Sequence, residues 1–312
     1  MSAGWVAATV RGAALMRGGL GTGGALEVAG LPAWEPALAR LADVVPHGMP
    51  EGADRAVARR AAMESWLWQL RVLAGWLPPS GAPLARLAAA PAEIAALEEH
   101  RAGMERSPRA GSAHPPLDLG SLGSVWPRAA VSSTPEQLRT LLATSVWGDP
   151  GGTTEAELAL ALRLGFAGRL RSLGGTLARP WAAGVAALLT TREQLVFGRS
   201  VNPASAGRAD RLLGHGWREP ESMEALAARL PSDARWVLDG IEDVAQLWLG
   251  EVALVRRVAR DAGAVVAAGR RDRDSVVAQL ALLLVDLWLV EVAIESAGRG
   301  DAGREVLDAF AA

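Results

Sequence analysis

Cysteine is absent from the 312 residues, so the chain has no disulfide, no thiolate metal site and no cysteine nucleophile. Lysine is absent too, since every basic residue is Arg, and that removes any Walker A phosphate loop. There is no Tyr, Ile is scarce, and β-branched residues are thin outside scattered Val. No period-2 runs flanked by hairpin turn pairs occur, so strands are not expected. No G-x-S-x-G or H-E-x-x-H motif is present, and His47, His100, His114 and His215 are too scattered to share one helix face. A charge of −2 lacks the basic excess of a nucleic-acid binder.

What remains is rich in Ala, Leu, Gly and Arg, and Ala, Leu and Arg head the helix-propensity ranking. A chain of this length buries about three quarters of its unfolded surface and needs no staples. Its organising feature is a repeat. Arg71, Leu73, Gly75, Leu77, Ala82 and Glu93 recur about a hundred residues later as Arg171, Leu173, Gly175, Leu177, Ala182 and Glu193. The fold class is therefore all-α, with three tandem helical-bundle repeats over residues 1–110, 111–205 and 206–312.

Along the chain, apolar periodicity predicts a first helix from Trp5 that ends in the glycines Gly18–Gly24. A short helix through Leu38 and Leu41 stops near Gly48, and a long one follows with the stripe Trp66, Leu67, Leu70, Leu73. Helical sequence resumes from Leu84 to His100. Arg106–Pro116 and Pro203–Gly207 read as linkers. Thr134-Pro135-Glu136-Gln137, Thr154-Glu155-Ala156-Glu157 and Thr190-Thr191-Arg192-Glu193 read as helix-opening capping boxes. Long helices are predicted over Trp236–Ala262, with Asp239-Gly240 inside it, and over Asp274–Ala297. The apolar run Val276–Ile294 carries Gln279, Asp286 and Glu291, so a buried helix is expected there and no transmembrane segment. The N-terminus lacks the layout of a signal peptide.

Gly19-Leu20-Gly21-Thr22-Gly23-Gly24 fits G-x-G-x-x-G, but a dinucleotide site needs a strand running into that turn, so the run reads as a helix end and no cofactor is expected. Glu64, Asp286 and Glu291 lie in apolar periodicity, each expected to meet an Arg from a neighbouring helix. Short arginine runs such as Arg59-Arg60, Arg256-Arg257 and Arg270-Arg271 read as solvated helix faces or loops, with a phosphate or lipid-headgroup site as the alternative. No catalytic or metal-binding residue is assigned.

With these residues in view, the chain resembles the C-type rotor subunits of the archaeal and bacterial V/A-type ATPases, whose eukaryotic counterparts are the d-type subunits. The likeness rests on short helices ending at a glycine, each followed by a long helix with an acid and an apolar residue four further on. These are Leu41 to Gly48 with Glu93 and Leu97, Leu141 to Gly148 with Glu193 and Phe197, and Leu212 to Gly216 with Asp286 and Val290. The N-terminal WVAATVRGAALMRGGL is similar to that family's arginine-bearing first helix. The tyrosines usual at the short-helix exits are missing, with Val45, Trp147 and His215 in that neighbourhood.

The resemblance implies a funnel of three helical units with pseudo-threefold symmetry and no enzymatic activity of its own. It would sit on the membrane ring of proteolipid subunits and hold the central-stalk subunits, on the cytoplasmic side of the cell membrane and attached only through the complex. Leu38, Leu41, Gly48, Leu141, Trp147, Gly148, Leu212 and Gly216 would form the ring-contact rim, as apolar surface that the chain's own core leaves unfilled. Two competing readings are a helical-repeat scaffold that binds another protein without a rotary partner, and an α-helical enzyme using carboxylates such as Glu64 or Asp286.

Overall fold

A computed structural model describes residues 3–45, 48–105 and 117–312, the side chains of 301–303 excepted. Among the described residues there are helices and no strands. In chain order these are α1 (Ala3–Met16), α2 (Gly21–Ala29), α3 (Trp34–Ala42), α4 (Arg55–Ala74), α5 (Ala82–Ala88), α6 (Ala90–Glu105), α7 (Trp126–Ala129) and α8 (Pro135–Ala143). There follow α9 (Glu155–Leu173), α10 (Gly175–Thr191), α11 (Pro203–Leu213), α12 (Met223–Arg229), α13 (Ser232–Arg235), α14 (Leu247–Ala267), α15 (Arg273–Ser296) and α16 (Asp301–Ala311). The all-α expectation holds.

The chain forms two compact units, Met1–Ala88 with Val255–Ala312, and Ala89–Leu254. In the first, α15 packs on α1, α2, α4 and α16. The stripe Trp66, Leu67, Leu70, Leu73 is buried as expected, along with Val276, Leu283 and Ile294 of α15. Each such leucine contributes roughly 1.5–3 kcal/mol by leaving water. Gly12 lets α1 approach α15, because a Cβ there would run into Gln279, whose Nε2 donates to Thr9 O at 2.8 Å. By length and composition α15 could cross a membrane, yet 61% of its most apolar window is buried inside the protein.

In the second unit α10 packs along α9, with α11 and α13 against the pair. Ala178, Ala182, Ala183, Ala186 and Ala187 of α10 are wholly buried, and their small side chains allow the close approach.

The repeated sequence has repeated local geometry. Asp54 caps α4 by accepting from Val57 N, and Thr154 caps α9 by accepting from Glu157 N, a full capping box. Gly48 and Gly148 both take left-handed backbone, φ 73° and 70°, just after α3 and α8. Thr134 caps α8, although Gln137 returns its bond to Ser133 N.

Several expectations fail for identifiable reasons. Thr190 and Thr191 open no helix. They lie buried at the end of α10, and their hydroxyls donate back to Ala186 and Ala187 carbonyls, as threonine does inside a helix. A π-turn, Arg192–Val196, follows. Pro203–Gly207 is no linker but the first turn of α11, with Asn202 as cap and Pro203 at the first helical position, so a boundary at 205 falls inside a helix. Asp239-Gly240 interrupts the long helix predicted from Trp236, because Gly240 turns at φ 76° and α14 begins at Leu247. The glycines after α1 begin α2 as well as ending α1, and α16 had no expectation attached. The linker Arg106–Pro116, the boundary at residue 110, His47 and His114 lie outside the described residues.

Asp54→Ala and Thr154→Ala are each expected to lower the unfolding free energy by about 1 kcal/mol in urea titrations, as loss of an N-cap does. A large loss at one position with none at the other would mean that the two caps are not equivalent.

Candidate functional site

The rim positions divide between the two units. In the first, Leu38 and Leu41 are buried and Gly48 is half-exposed. In the second, Trp147 is 2% exposed and Leu212 4%, while Leu141, Gly148 and Gly216 are half-exposed. Trp147, Gly148 and Leu212 come together, lining one cleft. The large apolar side chains are thus part of each unit's own core. At this exit the exposed apolar side chain is Val146, at 60%. A Trp147→Asp substitution would put a charge into that core rather than merely alter a surface.

Trp147 is held from two sides. Its indole Nε1 donates to Glu93 Oε2 at 3.2 Å. Arg169 stacks over the ring at 4.9 Å, and Arg208 Nη2 donates to the carbonyls of Trp147 and Asp149 at 2.9 and 2.8 Å. Asp149 in turn takes a two-pronged bond from Arg139, which, with the N–H of Gly151, holds its carboxyl down at about 2.

Glu93 is the centre of this arrangement. It sits on α6, only 1% exposed. Its Oε1 accepts from Ser124 N, Val125 N and Trp126 N at 2.6, 2.7 and 3.0 Å, the unpaired donors at the start of α7. This buried carboxylate is therefore satisfied by three backbone N–H groups and the Trp147 indole N–H. Its recurrence at Glu193 made Glu93 visible in sequence, but its partners were not, because they are backbone groups 32 residues away in the case of Val125.

Asp286 of α15 repeats the device in the other unit. Its Oδ1 accepts from Gly21 N at 2.8 Å and its Oδ2 from Leu20 N at 3.3 Å, capping α2. A Cβ on Gly19 would stand 2.8 Å from that carboxylate, and Gly21 takes φ 62°. The glycine-rich run does form an anion seat at a helix start, and the chain's own carboxylate fills it. Burial pushes the Asp286 carboxyl up, against the pull of those two N–H bonds.

Glu193 departs from the pattern. It lies in the π-turn and pairs with Arg199 at 3.5 Å. Nor do the other acids meet arginines as expected. Glu64 pairs with Arg60 on its own helix at 2.6 Å. Glu291 makes no ion pair among the described residues, and burial raises it against the pull of Arg59, which bonds Glu295. His100 Nε2 lies 3.0 Å from Ser132 O, His215 lies 3.3 Å from Asp210, and no cluster of metal-ligating residues forms among the described residues.

No protein-family model matches this chain, and no curated protein matches it.

Asp286 has a consequence for stability. A folded carboxyl raised above its unfolded value binds protons that the unfolded chain has released, so stability falls as pH rises through the window from the ordinary Asp range to the raised folded value. Asp286→Asn keeps an acceptor for Gly21 N and removes this contribution. Across urea titrations from about pH 4 to pH 7, the parent is expected to lose stability relative to Asp286→Asn as pH rises. Parallel curves would refute the assignment.

Proposed function

We propose that this chain is a non-catalytic rotor connector of a V/A-type ATPase, joining the membrane ring of proteolipid subunits to the central stalk so that ion flow and ATP turnover are coupled. The observation that carries the reading is the acid-capped helix start at Glu93 and again at Asp286. In each case an acid on one long helix ties down the start of a short helix belonging to another stretch of the repeat. Glu93 reaches forward from the first repeat to the second. Asp286, near the end of the chain, reaches α2 near its beginning. Links of that kind are what a closed cycle of three similar helical units requires.

The matched caps at Asp54 and Thr154 and the matched glycines at Gly48 and Gly148 also favour three tandem repeats with pseudo-threefold symmetry. A torque-bearing part must be stiff, and close-packed helices with fixed starts have low compressibility. In this reading the exits after α3 and α8, and the one after α11, face the ring. Buried Leu38, Leu41, Trp147 and Leu212 hold their shape, while half-exposed Gly48, Leu141, Gly148 and Gly216, with Val146, make the contact. The chain then works at the cytoplasmic face of the membrane without itself entering the bilayer.

An affinity pull-down from gently solubilised host membranes, with partners identified by mass spectrometry, tests this. Proteolipid and stalk subunits are expected in fixed ratio with the parent chain. Val146→Asp is expected to lose the ring subunits while keeping the parent's helical circular dichroism. Soluble partners alone, or none, would contradict the rotor reading and leave a free helical scaffold.

A further inference from the structure

Beside Trp147 the second unit opens into a cleft of roughly 840 Å³, well within the range of small-ligand sites. Arg169 and Arg171 of α9, Arg179 of α10, and Arg208 and Arg211 of α11 all line it, and no carboxylate does. That imbalance is local, since the chain as a whole carries 34 acidic residues against 32 basic ones. Arg171 donates to the carbonyls of Arg211 and Leu212, and Arg208 to those of Trp147 and Asp149. Carbonyl bonds of this kind fix the direction of a guanidinium group, and at Arg208 they do so without neutralising it. Among the described residues, none of Arg179, Arg208 and Arg211 forms a salt bridge. Asp149, the acid whose charge reaches Arg208, is engaged by Arg139.

Charges of one sign gathered from three helices repel each other, and Arg208 feels both burial and Arg211. Proteins hold such groupings where an anion supplies the missing charge, and the planar guanidinium fork matches phosphate oxygens in pairs. Gly168 also lines the cleft, and an added Cβ there would meet nothing within 4 Å, so the space beside it is free to take a larger side chain.

We propose that this arginine-lined cleft binds the phosphate groups of a multiply charged phosphate ester, either a soluble molecule or a lipid headgroup. A concave site this size favours such a ligand over an acidic protein surface, and the assignment stands whether or not the chain is a rotor part.

Titration calorimetry of the full chain with tripolyphosphate, beside sedimentation with phosphatidylglycerol vesicles, tests it. Tripolyphosphate is expected to bind, and the double variant Arg179→Gln/Arg211→Gln, on the exposed side of the cleft, to weaken binding by at least about tenfold. Gly168→Phe fills the cleft at unchanged charge, and is expected to abolish binding with thermal unfolding retained. Arg260→Gln, on α14, is expected to bind as the parent does. Binding of tripolyphosphate without the vesicles assigns a soluble ester, and vesicle binding lost in Gly168→Phe assigns a headgroup. No binding of either probe, equal binding by the cleft variants, or binding of poly-glutamate in place of tripolyphosphate would overturn the proposal.

Discussion

A carboxylate removed from water must find its compensation within the protein, and at Glu93 that compensation is geometric. Three backbone N–H groups at the start of α7 converge on one oxygen and an indole N–H takes the other. Neither group can be buried alone without loss, because the helix start has donors to satisfy and the acid has a charge to stabilise. Together they fix where α6 stands relative to α7, and through Trp147 they fix the turn that leads to α9. Asp286 imposes the same constraint between α15 and α2 with two N–H groups. There the fit is poorer, and burial raises the carboxyl.

Much of the secondary structure was legible because it is decided locally. The cap at Thr154, the proline start of α8 and the buried stripe of α4 follow from residues within a few positions of each other. Where reading failed, the local signal was ambiguous. Thr191 with a Glu nearby looks like a cap, yet the same hydroxyl bonds an i−4 carbonyl equally well inside a helix, and only the buried surroundings of α10 decide. Asn202-Pro203 can open a linker or a helix, and the apolar face of α11 decided for the helix.

The candidate site was legible only in part. Repetition singled out the short-helix exits and the acids, but repetition cannot tell a contact surface from a shared core solution. Leu41 and Leu212 lie at matching positions, and Trp147 lies at the exit between them in sequence; all three fill the interior, whereas Leu141, the counterpart of Leu41, is half-exposed. The capping of α2 and α7 by distant acids was hidden, since its partners are backbone groups that carry no sequence signature. The gathering of arginines from α9, α10 and α11 was hidden for a related reason, being visible only once three helices are packed. The exit after α8 and the arginine-lined cleft lie beside one another around Trp147, so the residue that binds Glu93 also borders that cleft.

Glu93 is a structural keystone, and Glu193, despite its matching position, is not. Urea denaturation of Glu93→Ala beside Glu193→Ala tests that directly. Glu93→Ala orphans buried donors and is expected to lower the unfolding free energy by about 3 kcal/mol, whereas Glu193→Ala removes only a weak pair and is expected to change it by less than about 1 kcal/mol. Losses of similar size in the two variants would contradict the account.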